Sequence, residues 1–212
     1  MRAITIAITG ASGSIYGFKA LGFLLSEGYT VDLIFSETAN KVISIELGLN
    51  LEFNSVQKNK KTIVEYLSES LPKGVNKLNA EKLNLWEVDN LAAKVASGSY
   101  RNEGMIIIPC SMGTIGRIAN GTSEDLISRC ADVCLKEKSK LVIVPRETPF
   151  NSIHLRNMLT ISESGGMIVP AMPAFYHKPK SMDDLVNFVV GKTLDAFGVD
   201  NQLFTRWLEK NS

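Results

Sequence analysis

Hydrophobic residues in this chain fall in short, nearly continuous blocks, separated by longer stretches with a 3.6-residue rhythm. The blocks cover residues 4–8, 31–35, 105–108, 141–144 and 167–169 and are rich in Ile and Val. Apolar runs this short, bounded by Gly, Ser and Pro, predict strands buried on both faces. Helices are predicted over residues 15–27, 123–138, 152–163 and 181–197. The first ends at Gly28, a glycine placed to stop a helix. The second takes Thr122 or Ser123 as its N-cap, with Glu124 and Asp125 in its first turn. Strands alternating with helices imply a parallel sheet with helices on both faces. The expected fold is therefore α/β, doubly wound and Rossmann-like, with residues 1–212 as a single domain. Residues 51–90 break the rhythm with Lys58, Lys60, Lys61 and several asparagines. They read as an excursion or lid between two sheet strands.

Composition narrows the function. Hydrophobic residues make up 45% and charged residues 21% of the chain, with a net charge of +1. That balance favours a globular protein over a disordered one and gives no broad basic face for nucleic acid. No apolar run approaches the ~20 residues of a membrane span. The N-terminal apolar block runs straight into Gly10-Ala11-Ser12-Gly13, so it reads as a strand and not a leader, and the expected location is cytoplasmic. Cys110, Cys130 and Cys134 are an odd set and read as buried structural thiols. With only His154 and His177 beside them, no closed metal site is expected.

Ligands of open parallel sheets bind beyond the carboxyl ends of the strands. The residues found there are Thr9-Gly10-Ala11-Ser12-Gly13-Ser14, Ser36-Glu37-Thr38, Pro109-Cys110-Ser111-Met112-Gly113-Thr114, Pro145-Arg146-Glu147-Thr148-Pro149 and Pro170 to Tyr176. Small hydroxyl residues and glycines dominate, with one Arg-Glu pair. Hydroxyls, backbone amides and helix N-termini facing one another suit a phosphate-bearing cofactor. Gly10-Ala11-Ser12-Gly13 is not the dinucleotide fingerprint, and Ser36 stands where an acid would hold a ribose diol. Both features favour a mononucleotide such as FMN over NAD. Neither a P-loop nor a nucleophile elbow occurs. The only Asp-Asp pair, Asp183-Asp184, lies inside a predicted helix, so no carboxylate cluster is placed to hold magnesium.

Thr9 to Gly13 with Tyr16-Gly17, Pro109 to Thr114, Arg129 to Glu137, Leu141 to Pro149 and Pro173 to Tyr176 together resemble the UbiX/Pad1 flavin prenyltransferase family. The likeness spans nearly the whole chain; the excursion and the last dozen residues match loosely. It implies transfer of a dimethylallyl group from dimethylallyl monophosphate to N5 and C6 of reduced FMN, without a metal. The prenylated FMN would serve a UbiD-type decarboxylase, and the chain would form a homododecamer with sites between subunits. Carried over by position, Gly10, Ala11, Ser12, Ser36, Ser111, Met112, Gly113, Thr114 and Arg146 match flavin-binding residues. Tyr176 and Lys192 match the binders of the prenyl phosphate. Glu46, Trp86, Arg129, Lys136 and Glu147, with Ser12, match further catalytic or pocket residues. Lys192 stands where some relatives have arginine, which keeps the charge but loses the bidentate fork.

The residue types allow these roles. Arg129, Asp132 and Lys136 share a helix face, where the cations either neutralise a departing phosphate or form a solvated ion pair. Glu147 either handles a proton or pairs with Arg146. Trp86 offers a π face to an allylic cation, or packs at a subunit contact. Two other functions fit the same scaffold: an FMN-dependent cysteine decarboxylase and a non-catalytic flavin carrier. The first needs a histidine base near the flavin, and neither His154 nor His177 directly follows a predicted strand.

Overall fold

The computed structural model describes residues 3–52, 55–70 and 78–207. The strands are β1 (Ala3–Ile8), β2 (Thr30–Phe35), β3 (Leu83–Trp86), β4 (Gly104–Cys110), β5 (Lys140–Pro145) and β6 (Met167–Ile168). They form one sheet in the order β3-β2-β1-β4-β5-β6, and every pairing is parallel. The helices are α1 (Ser14–Ser26), α2 (Glu37–Leu47), α3 (Val56–Ser70), α4 (Met112–Ala119), α5 (Leu126–Glu137), α6 (Ser152–Glu163) and α7 (Met182–Phe197). Phe18, Leu21 and Leu25 of α1, Ile43 of α2, Ile63 of α3, and Val190 and Phe197 of α7 pack on one face of the sheet. Ile115 of α4, Ile127, Cys130 and Ala131 of α5, and Ile161 of α6 pack on the other. The doubly wound α/β architecture is the one expected. Among the described residues no helix is long and apolar enough to cross a membrane.

Local chemistry explains the element ends. Gly28 takes a left-handed φ of 77°, and the Gly28 and Tyr29 amides donate to the carbonyls of Leu25 and Leu24. This double closure ends α1 where the sequence placed its stop. The start of α5 differs from expectation: its N-cap is Asp125, not Thr122 or Ser123. The Asp125 carboxylate accepts from the Ser128 amide at 2.7 Å, and the Ser128 hydroxyl accepts from the Asp125 amide at 3.3 Å. An ionised cap at the positive end of a helix, with that reciprocal bond, outcompetes a neutral hydroxyl further upstream.

The expected excursion is largely part of the fold. Its described residues supply α3, whose Ile63 and Leu67 are buried, and β3, which pairs with β2 from Val31↔Leu83 to Ile34↔Trp86. Residues 53–54 and 71–77 of that stretch lie outside the described residues. Beneath β3 sits a fully buried carboxylate, Asp32 of β2. It accepts from Trp86 Nε1 at 2.8 Å, the Tyr100 hydroxyl at 2.7 Å and Asn84 Nδ2 at 3.1 Å. Lys94 Nζ lies 3.8 Å away. Three donors and a cation satisfy a charge that would otherwise be costly to bury. They also fasten the edge strand and the connection after it.

The three cysteines are free and buried, as expected. Burial pushes the Cys130 thiol up to about 12 and raises those of Cys110 and Cys134. All three are therefore protonated at neutral pH and poor nucleophiles.

Candidate active site

The strand order reverses between β1 and β4, and their exits open a crevice at the carboxyl edge of the sheet. Thr9, buried at the end of β1, ties the two exits together. Its hydroxyl donates to the Pro109 carbonyl at 3.0 Å and accepts from the Ser111 amide at 2.7 Å. The next residue has to be glycine. A Cβ on Gly10 would lie 2.5 Å from Thr38 Cγ2 and 2.6 Å from Thr38 Cβ, so only a bare backbone lets this loop lie against α2.

The loop then turns into α1 through Gly13, whose φ is 105°. The α1 N-terminus is closed by a carboxylate from α2. Glu46 accepts from the Gly13 amide at 3.0 Å through both oxygens and from the Ser14 amide at 2.8 Å. Burial alone would raise the Glu46 carboxyl, but hydrogen bonds from the Ser12 side chain and the Ser14 and Gly13 amides hold it below the usual range. Glu46 is thus an anion at neutral pH. On the other side, Arg146 Nε donates to the Ser12 carbonyl at 2.8 Å, joining the β5 exit to the β1 exit. Tyr16 feels both charges. Burial raises its phenol, Arg146 lowers it and Glu46 raises it. Next to Arg146, Glu147 Oε1 accepts from the Thr148 amide at 3.0 Å.

Two helices point their N-termini into this crevice, each capped by a serine. Ser36 Oγ accepts from the Ala39 amide at 3.1 Å at the head of α2. Ser111 Oγ accepts from the Thr114 amide at 3.3 Å at the head of α4. A capping hydroxyl that accepts in this way keeps its proton to donate outward, beside the unpaired amides of the first turn. Gly113 is open, with nothing closer than Arg117 Nη1 at 4.0 Å from an added Cβ. Hydroxyls, free amides, glycine backbone and one guanidinium suit the phosphate and the ring carbonyls of a flavin mononucleotide, so FMN fits this donor set. Among the described residues no three His, Cys, Asp or Glu side chains gather as around a metal ion.

The structure thus brings together Gly10, Ala11, Ser12, Ser36, Glu46, Ser111, Met112, Gly113, Thr114, Arg146 and Glu147. Other expected site residues lie apart from this cluster within one protomer. Trp86 is not in a loose segment; it ends β3, and its indole donates to Asp32. Arg129 Nη1 bonds Asp132 at 3.1 Å and Lys136 Nζ bonds Glu137 at 2.5 Å. Seven residues of helix put the Cα atoms of Arg129 and Lys136 roughly 10 Å apart, with Lys136 toward the end where β5 starts. Lys192 is exposed on α7, one turn beyond Phe188. The Tyr176 ring packs edge-on to Phe188 at 5.9 Å, to His177 at 5.7 Å and to Trp207 at 5.1 Å. The sequence reading missed Arg117. Its spacing of three from Thr114 on a helix was the available signal.

Comparison with known proteins bears on this crevice. The model of the family described as Flavoprotein matches residues 1–194. A curated relative from Alkalihalophilus pseudofirmus, flavin prenyltransferase UbiX, is 48% identical over 208 residues, covering 98% of this chain and 97% of its own. The chain belongs to the UbiX flavin prenyltransferase family. Solved structures agree. AnUbiX (PadA1), in complex with FMN and dimethylallyl pyrophosphate, superposes with a TM-score of 0.81 at 37% identity, covering 99% of each chain. A dodecameric FMN-dependent UbiX-like decarboxylase from Escherichia coli O157:H7 gives 0.79 at 35%, covering 98% of this chain and 100% of its own. The peptidyl-cysteine decarboxylase EpiD shares the fold alone, at 17% identity and a TM-score of 0.53. The cysteine decarboxylase alternative is thereby the more distant one.

Proposed function

We propose that this chain transfers a dimethylallyl group from dimethylallyl monophosphate to N5 and C6 of reduced FMN, yielding prenylated FMN for a UbiD-type decarboxylase. One observation carries the reading. The loops of Gly10, Ser36, Ser111, Thr114 and Arg146 build an anion-ready crevice in a chain whose relatives, named as flavin prenyltransferases, match it along nearly their whole length. Reduced FMN supplies the nucleophilic ring positions. The chain's own residues do the rest. The Ser36 and Ser111 hydroxyls and the amides behind them bind the flavin. Arg146, fixed on the Ser12 carbonyl, holds positive charge at the β1–β5 side of the crevice. Glu46, an anion bonded to the α1 amides, is equipped to hold a proton donor in place; the bonds that keep its carboxyl below the usual range leave it a weak base and no acid. Glu147, on the adjacent exit, is the second carboxylate in reach of a proton lost from the ring.

Departure of the phosphate needs more positive charge than this crevice contains. Arg129, Lys136 and Lys192 match family positions for that task but stand elsewhere on the protomer. We therefore place them in the crevice of a neighbouring copy, where they take the part a metal ion plays elsewhere. The outer face of α6 supports such an assembly, with Leu155 53% and Leu159 58% exposed one turn apart. Tyr176, among exposed Phe175 and Trp207, would contribute its hydroxyl to the same phosphate. Release of inorganic phosphate from dimethylallyl monophosphate tests the reading. It should depend on reduced FMN, and release at the same rate without flavin would refute a flavin acceptor.

A further inference from the structure

Arg117 belongs to none of the roles above, yet its guanidinium reaches back over the head of α4. Arg117 Nη2 donates to Thr114 Oγ1 at 3.2 Å and lies 3.3 Å from Asp125 Oδ2. Its Nε is buried without a hydrogen-bond partner among the described residues. Thr114 Oγ1 is in turn 3.1 Å from Ser111 Oγ.

The direction of this chain follows from counting protons and lone pairs. Arginine only donates, so Thr114 Oγ1 accepts from it. The Thr114 hydroxyl proton must then go elsewhere, and Thr114 is only 2% exposed. Ser111 Oγ is its one hydrogen-bond acceptor among the described residues. Ser111 Oγ already accepts from the Thr114 amide, so both its lone pairs are used. The Ser111 proton is left to donate outward, into the crevice. Reversing the Ser111–Thr114 bond would leave the Thr114 proton buried and unpaired, which is costly. The charge on Arg117 further polarises the chain toward Ser111.

We propose that Arg117 is a positioning residue for the flavin: acting through Thr114, it fixes Ser111 as a hydrogen-bond donor to an acceptor atom of FMN. Asp125, the N-cap of α5, anchors the guanidinium from the other side. The inference rests on the crevice being the flavin site. Wild-type affinity for FMN tests that reading, and the ratios among variants test the relay.

The experiment measures FMN affinity of the full chain by quenching of flavin fluorescence, with the melting temperature of each flavin-free variant as a check on folding. Arg117→Met should weaken FMN by about tenfold, the order expected for one hydrogen bond aided by a charge. Thr114→Val should cost about the same, and the double variant no more than either single one, because both break one chain. Thr114→Ser keeps the hydroxyl and should restore affinity. Should Thr114→Val fail to fold, Ser111→Ala gives the same test, since Arg117→Met should then cost nothing further. Asp125→Asn keeps the cap of α5 and should weaken FMN less than Arg117→Met does. Riboflavin in place of FMN locates the acceptor: an equal loss places it on the ring or ribityl chain, a loss confined to FMN on the phosphate. Unchanged affinity in Arg117→Met, or additive losses in the double variant, would overturn the relay. So would Asp125→Asn weakening FMN as much as Arg117→Met.

Discussion

Replacing Glu46 with glutamine keeps the side chain's length and one amide-accepting oxygen but removes the negative charge from the head of α1. The structure sets the size of the effect. The carboxylate takes up the Gly13 and Ser14 amides over 2.8–3.0 Å, at the positive end of a 13-residue helix. A charge at a helix terminus contributes roughly 0.3–1 kcal/mol, and its amide bonds are stronger than those of a neutral acceptor. Glu46 is exposed, so solvent screening trims the total. The expected loss on Glu46→Gln is about 1 kcal/mol at neutral pH, or about 2–4 °C in melting temperature for a chain of this size. The loss must also depend on pH. Because the folded-state pKa lies below the ordinary carboxylate value, the contribution is complete above that value and fades as the pH falls through the folded one. Urea denaturation of both proteins, from neutral pH down to about pH 4 and below, reads the difference directly. A constant difference across that range would show that the charge plays no part, and no difference at neutral pH would refute the capping argument itself.

Four other outcomes follow from the same geometry. Gly10→Ala forces a Cβ into Thr38 and should cost about 1–3 kcal/mol of stability while weakening FMN, checked by melting and by flavin fluorescence. Ser36→Asp keeps the cap of α2 but puts a charge against the flavin phosphate; FMN binding should be abolished, whereas riboflavin binding should survive. Glu147→Gln should leave FMN affinity near wild type and lower turnover by roughly 10²–10⁴-fold, read by steady-state kinetics; wild-type turnover would remove Glu147 from proton transfer. Leu159→Glu should break the assembly through the α6 face, and native mass spectrometry reads the result as loss of the largest oligomer.

The parts of the fold that could be read from the sequence were those with one-residue-type signals. β1, β2, β4 and β5 are near-continuous apolar runs because helices cover both faces, and the glycines after α1 and α7 mark true helix ends. β3 reads as part of an excursion because lysines and asparagines precede it and its own apolar signal is short: Leu83 and Leu85 are buried, while Asn84 and Trp86 turn toward Asp32. The partner that makes Asn84 a strand residue lies 52 positions away in sequence. α2 and α4 begin directly at strand exits, so in the sequence their caps, Ser36 and Ser111, read as ligand loops and not as helix starts. The residues of the crevice could be read for the same reason. Each sits within a few positions of a strand end, and topology alone brings those ends together. Arg129, Lys136 and Lys192 follow no strand exit and stand apart from that cluster within one protomer, so their proposed roles rest on family resemblance and not on topology.

The most direct measurement is the mass of the flavin recovered after anaerobic incubation of the purified protein with reduced FMN and dimethylallyl monophosphate. A gain of one dimethylallyl unit, absent with Ser36→Asp, is the predicted result. Flavin recovered unaltered from wild-type protein that binds both FMN and the prenyl phosphate would contradict the account.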